Sequence, residues 1–155
     1  MSAFNLVDFL HVLFTVSWIG GMVFMGLVLK PAMSAVDPSQ AGKLFGVIAK
    51  RFTIVAWVSM IALLITGIMK TPDGAMFDTS AGYGLTLTIK HILFALATIN
   101  GILITFVAAP KIRKFAPAPG TAPGLEFRQA GKMIDILSGT NTIFGVIILA
   151  LATML

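Results

Sequence analysis

Four runs of apolar residues divide the chain, at about 5–29, 53–69, 84–109 and 133–155, and polar residues collect between them. A helix needs ~20 apolar residues to cross a bilayer. The second run is the shortest, but Phe52 and Lys70 can sit at the interfaces and extend its reach. The pattern predicts an all-α integral membrane protein, an up-and-down four-helix bundle forming one domain over 1–155. The first run lacks a preceding basic segment and exceeds a signal-peptide core, so it is expected to remain as a span. SQAGKLFGVIAKRF, before the second run, predicts a short interfacial helix. APAPGTAPG at 116–124 predicts an extended connector, because proline removes backbone donors and glycine loosens the chain.

Composition agrees: 57% of residues are hydrophobic, 11% are charged, and mean hydropathy is +0.98. A soluble domain of this length carries far more charge. The absence of cysteine in the sequence excludes thiolate metal sites, disulfides and thiol catalysis within it. A net charge of +5 could suggest nucleic acid, but its distribution points to lipid, and no nucleic-acid partner is expected. Lys30, Lys43, Lys50 and Arg51 against Asp37 give the first connector +3. Lys70 against Asp73 and Asp78 gives the second −1. Lys111, Arg113, Lys114, Arg128 and Lys132 against Glu126 give the third +4. Positive connectors stay in the cytoplasm, so the expected topology is N-out and C-out.

Against that topology, the two histidines stand out. His11 lies six residues into span one, roughly 9 Å, and His91 seven residues into span three, roughly 10 Å. Both are expected at one level in the outer leaflet, facing each other on diagonal helices. Two axial imidazoles on opposed helices are what a b-type haem needs. Small residues near them leave room for a ring: Thr15 beside His11, and Gly84, Ala95 and Thr98 with Thr88 beside His91. Lys90 and Lys70 are placed to reach haem propionates. Lys90 has a plainer use, its stem snorkelling to the headgroups. The histidines have one too, as interhelical hydrogen-bond partners.

Other polar residues add less. Nine methionines suggest copper, since thioethers select Cu(I). Met69, Met76 and Met154 fall toward the outer end, while Met22, Met25 and Met60 read as packing. Met33 and Met133 lie near the inner end. Asn100 and Asn141 are expected to bond between adjacent spans, with Thr140 and Thr142 joining them. Gly20, Gly21, Gly26, Gly67 and Gly145 suggest close helix approach. Asp8, one turn before His11, could orient it or be solvated, and Asp135 is expected to face water. No paired carboxylates, nucleophile–base set or phosphate loop points to a hydrolase.

One stretch has a familiar form. HVLFTVSWIGGMVFMGLVLKPAM carries His11, Trp18, Gly20, Gly21, Phe24 and Pro31. Arg51-Phe52, Thr66-Gly67 and a Y-G-x-x-L-x-x-K motif (Tyr83, Gly84, Leu87, Lys90) follow. This run, through about residue 110, resembles the copper resistance protein D (CopD) family of prokaryotic inner-membrane proteins. The resemblance implies a four-span core linked to copper handling. The haem-binding HemJ-type protoporphyrinogen oxidases look similar at His11 and Lys90. His91 stands where the copper family has an apolar residue, which favours a two-histidine haem site.

The leading expectation is therefore a haem b protein for electron transfer or ligand sensing. His11 and His91 would be its axial ligands, with Lys90, Lys70, Thr15, Trp18, Gly84, Ala95 and Thr98 around the ring. Copper transport through His and Met ligands is the alternative, and a cofactor-free scaffold subunit the third. Enzymatic activity is not the favoured reading; a haem-dependent oxidoreductase is the form it would take. Expected partners are the lipid bilayer, a redox partner or larger membrane complex, and a second copy of the chain.

Overall fold

The computed structural model describes residues 3–74, 79–80, 82–118 and 121–154. Four helices among them are long and apolar enough to cross a membrane: α1 (Leu6–Ala35), α2 (Gln40–Lys70), α3 (Tyr83–Lys114) and α4 (Leu125–Ala152). The protein is an all-α, multi-pass membrane bundle. Large apolar side chains such as Val12, Leu27, Ile54, Ile61, Phe106 and Ile143 point outward. In water such a surface would associate; in a bilayer, lipid covers it.

The helices outrun the hydrophobic runs, most at the start of α2. The interfacial piece is not a separate helix. It is continuous with span two in one 33-residue helix, Pro38–Lys70. The Asp37 carbonyl accepts from the Gln40 and Ala41 N–H groups at 2.9 Å, and Pro38 suits a first turn that needs no N–H. After Pro38 no proline interrupts the segment, and its glycines at 42 and 46 are tolerated within it. Wider, π-type turns interrupt α1 at Val16–Gly20 and Met25–Leu29, and α3 at Leu103–Ala108. Each shifts the face that later residues present.

The tightest pairings are α1 with α2 and α3 with α4, and α1 also touches α4. The core holds Trp18, Ile19, Met22, Met60, Leu63 and Ala97. Across the diagonal, Trp18 of α1 meets Phe94 of α3 edge to face, with centroids 5.8 Å apart. Glycine permits two close approaches. A Cβ on Gly21 would collide with the Phe52 ring, and one on Gly145 would sit 3.1 Å from Ile19 and Met22. Gly20 and Gly26 have nothing within 4 Å of that position, so the expected close approach is absent at both.

Polar side chains pin these pairings. Asn100 Nδ2 donates to Asn141 Oδ1 at 3.0 Å, and Asn141 Nδ2 donates to the Ala97 carbonyl at 3.1 Å. The expected α3–α4 amide contact is thus present. Thr140 and Thr142 do not join it, because each hydroxyl donates to a carbonyl four residues back in its own helix. Trp57 Nε1 donates to Thr105 Oγ1 at 3.1 Å, linking α2 to α3. Asp135 faces water as expected and also pairs with Lys30 at 2.7 Å.

Candidate functional site

The chain enters α1 and leaves α2 at the same end of the bundle, the end that also carries both termini. There the two antiparallel helices are tied twice. Asp8 Oδ1 and Lys70 Nζ form an ion pair at 2.7 Å. One turn further in, His11 Nδ1 lies 2.7 Å from Thr66 Oγ1. The two contacts agree in register: three residues down α1 from Asp8 is His11, and four residues back along α2 from Lys70 is Thr66. Helical neighbours at those spacings share a face.

Thr66 holds the imidazole in place. Thr66 bonds one ring nitrogen and donates its own hydroxyl to the Ala62 carbonyl at 2.7 Å. Gly67 lies beside the Cε1 corner of the ring, with His11 Cε1 3.8 Å from where a Cβ would sit. Thr15 Oγ1 donates to the His11 carbonyl at 2.7 Å, so it serves its own helix and does not line a ring space. Asp8 does not orient the imidazole; it neutralises Lys70 beside it.

His91 is placed differently. On α3 it lies three residues before Phe94, one turn from the ring that meets Trp18. Among the described residues no hydrogen bond joins the two histidines; His91 is half-buried, next to Lys90, whose charge reaches it.

The small residues expected to make room for a ring do not share one lining. Gly84 is buried, Ala95 faces outward, and Thr98 bonds the Phe94 carbonyl of its own helix at 2.9 Å. Trp18 is core. Lys70 is held by Asp8 and is not turned toward a shared anion site. Met69 and Met154 are exposed, Met22 and Met60 are buried in the core, and Met76 lies outside the described residues. Among the described residues, no three His, Asp or Glu side chains gather to hold a metal.

Thr66 went unassigned in the sequence, and so did Ser59, whose buried hydroxyl has no partner. A signal for Thr66 existed. Asp8 and Lys70 are opposite charges at adjoining ends of consecutive spans, and pairing them fixes the register that brings Thr66 to His11.

Comparison with known proteins adds a family. The model of the family described as Copper resistance protein D matches residues 46–155. That segment includes Thr66, Gly67, Lys70, Lys90 and His91, while Asp8 and His11 lie before it. A protein of Aquifex aeolicus (strain VF5), described as uncharacterized, is 34% identical over 64 residues, which cover 41% of this chain and 44% of that protein. The chain thus spans under half of that relative's length. No solved structure matches.

Proposed function

Because the chain belongs to the copper resistance protein D family, we propose that it handles copper within the membrane, with His11 as the principal ligand. The observation that carries this reading is the His11 ring, fixed between α1 and α2 through one nitrogen by Thr66. A neutral imidazole fixed in this way offers its other nitrogen to a metal ion. Copper is the cargo. Loop charge supports an arrangement with this end outside. Exposed Met69 and Met154 are soft donors at that end, and buried Met60 and Met22 are soft donors further in. A thioether–imidazole–thioether succession suits Cu(I), which such ligands select over harder cations.

His91 is a secondary donor on the flank of α3. The family match supports copper and lends nothing to a haem b electron carrier, the reading that two level histidines had favoured. The purified protein, loaded anaerobically with Cu(I) against a competing chelator, should be colourless and retain copper in proportion to protein. His11→Ala should lose it. A Soret band with sharp reduced α and β bands in the protein as isolated would overturn this reading in favour of haem.

A further inference from the structure

We infer that Thr66 is a positioning residue: it holds His11 as the Nδ1–H tautomer and leaves Nε2 as the ring's one bare lone pair. The inference rests on the copper reading only for what Nε2 binds.

The argument is a count of hydrogens. A threonine hydroxyl has one hydrogen to donate. The Ala62 carbonyl oxygen lies 2.7 Å from Thr66 Oγ1 and has none to give, so the hydroxyl proton lies between them. Thr66 Oγ1 is then only an acceptor toward His11. The Nδ1···Oγ1 contact of 2.7 Å also needs a hydrogen, and the ring must supply it. A neutral imidazole carries one N–H. With Nδ1 protonated, Nε2 has no proton and can ligate.

This reverses the preference of a free histidine, for which Nε2–H is the commoner neutral form in water. Left to itself, the ring would present Nδ1 as its ligand atom, next to its own backbone. Gly67 completes the device. The Cε1 corner, bonded to both ring nitrogens, lies against Gly67, and a larger side chain there would press on the edge from which Nε2 projects. The Thr-Gly pair therefore does two jobs on successive residues: the hydroxyl sets the tautomer and the glycine keeps the edge clear.

The test is ¹⁵N-histidine NMR of the metal-free full chain in micelles, at a pH where the ring is neutral. The sequence has two histidines, so His91 is an internal reference in each spectrum. Wild-type His11 should show a pyrrole-like Nδ1 and a pyridine-like Nε2. Thr66→Val keeps the shape of threonine but offers no acceptor. It should shift His11 toward Nε2–H, leave His91 unchanged and weaken Cu(I) binding by about 10–100-fold. Thr66→Ser should restore both the tautomer and the affinity. An Nε2–H ring in the wild type, or His11 shifts unaltered by Thr66→Val, would overturn the inference. A Thr66-dependent Nδ1–H ring in a protein that binds no Cu(I) would support the tautomer assignment and overturn the copper reading.

Discussion

The α1–α2 and α3–α4 seams solve one problem with different chemistry. Both are packed pairs of antiparallel helices, and both place a polar contact within the apolar region. In the α3–α4 seam, Asn100 donates to Asn141, and Asn141 donates in turn to the Ala97 carbonyl. The two amides thus form a short relay that ends on the α3 backbone. In the α1–α2 seam, His11 spends one nitrogen on Thr66 and keeps another. A polar group between membrane helices can be glue, or it can be glue with a valence left over. The second kind is where chemistry is to be sought.

Substitutions can sharpen the contrast between the seams, beginning with the largest effect. His11→Ala should lower Cu(I) retention by at least ~100-fold, measured by chelator competition, because it removes the imidazole that Thr66 fixes between α1 and α2. His91→Ala should lower it only a few-fold. Equal losses would mean that the metal joins the two helices and that the seams are not separate units.

Next is Gly21→Ala, which must displace the Phe52 ring where α1 and α2 approach most closely. Overpacking of this kind costs about 1–3 kcal/mol. It should appear as a lower unfolding midpoint in detergent and as reduced copper retention, since both helices that hold His11 move apart. Asn141→Leu should cost about 1 kcal/mol, as interhelical hydrogen bonds in membranes do. Copper retention per folded molecule should be unchanged. A variant at 141 that lost copper would dissolve the distinction between the amide contact and the imidazole contact.

The smallest effect belongs to Lys30→Ala. Lys30 and Asp135 bridge α1 and α4 at 2.7 Å, but both side chains are more than half exposed. Such pairs contribute about 0–1 kcal/mol, less at high salt. Midpoints of wild type and variant should converge between 0.05 and 0.5 M salt, on the order of the screening range.

Much of this architecture is legible in the sequence, for physical reasons. Apolar runs long enough to cross lipid, separated by connectors of +3, −1 and +4, leave little choice but a four-span bundle. Asn100 and Asn141 could be paired by counting, because amides at matching depth need partners. Depth measured from the start of an apolar run carries an error of several residues, and one helical turn moves a side chain by 5.4 Å. The aromatic contact between Trp18 and Phe94, which joins α1 to α3, is announced by no local pattern. The tie from His11 to Thr66 was hidden for a related reason. A threonine four residues from a helix end reads as a carbonyl-bonding side chain, and Thr66 is one. Its acceptor lone pairs, turned toward another helix, leave no mark on periodicity or composition.

The continuity of α2 has a mechanical side. A helix of 33 residues is about 50 Å long, longer than the ~30 Å of hydrocarbon it crosses. It is a single rod with Lys43, Lys50 and Arg51 toward one end and Thr66 near the other. A tilt of ~10° about its middle displaces each end sideways by about 4 Å, more than the length of a hydrogen bond. Whatever shifts the basic end of this rod therefore shifts, by leverage, the hydroxyl that grips the imidazole at the other.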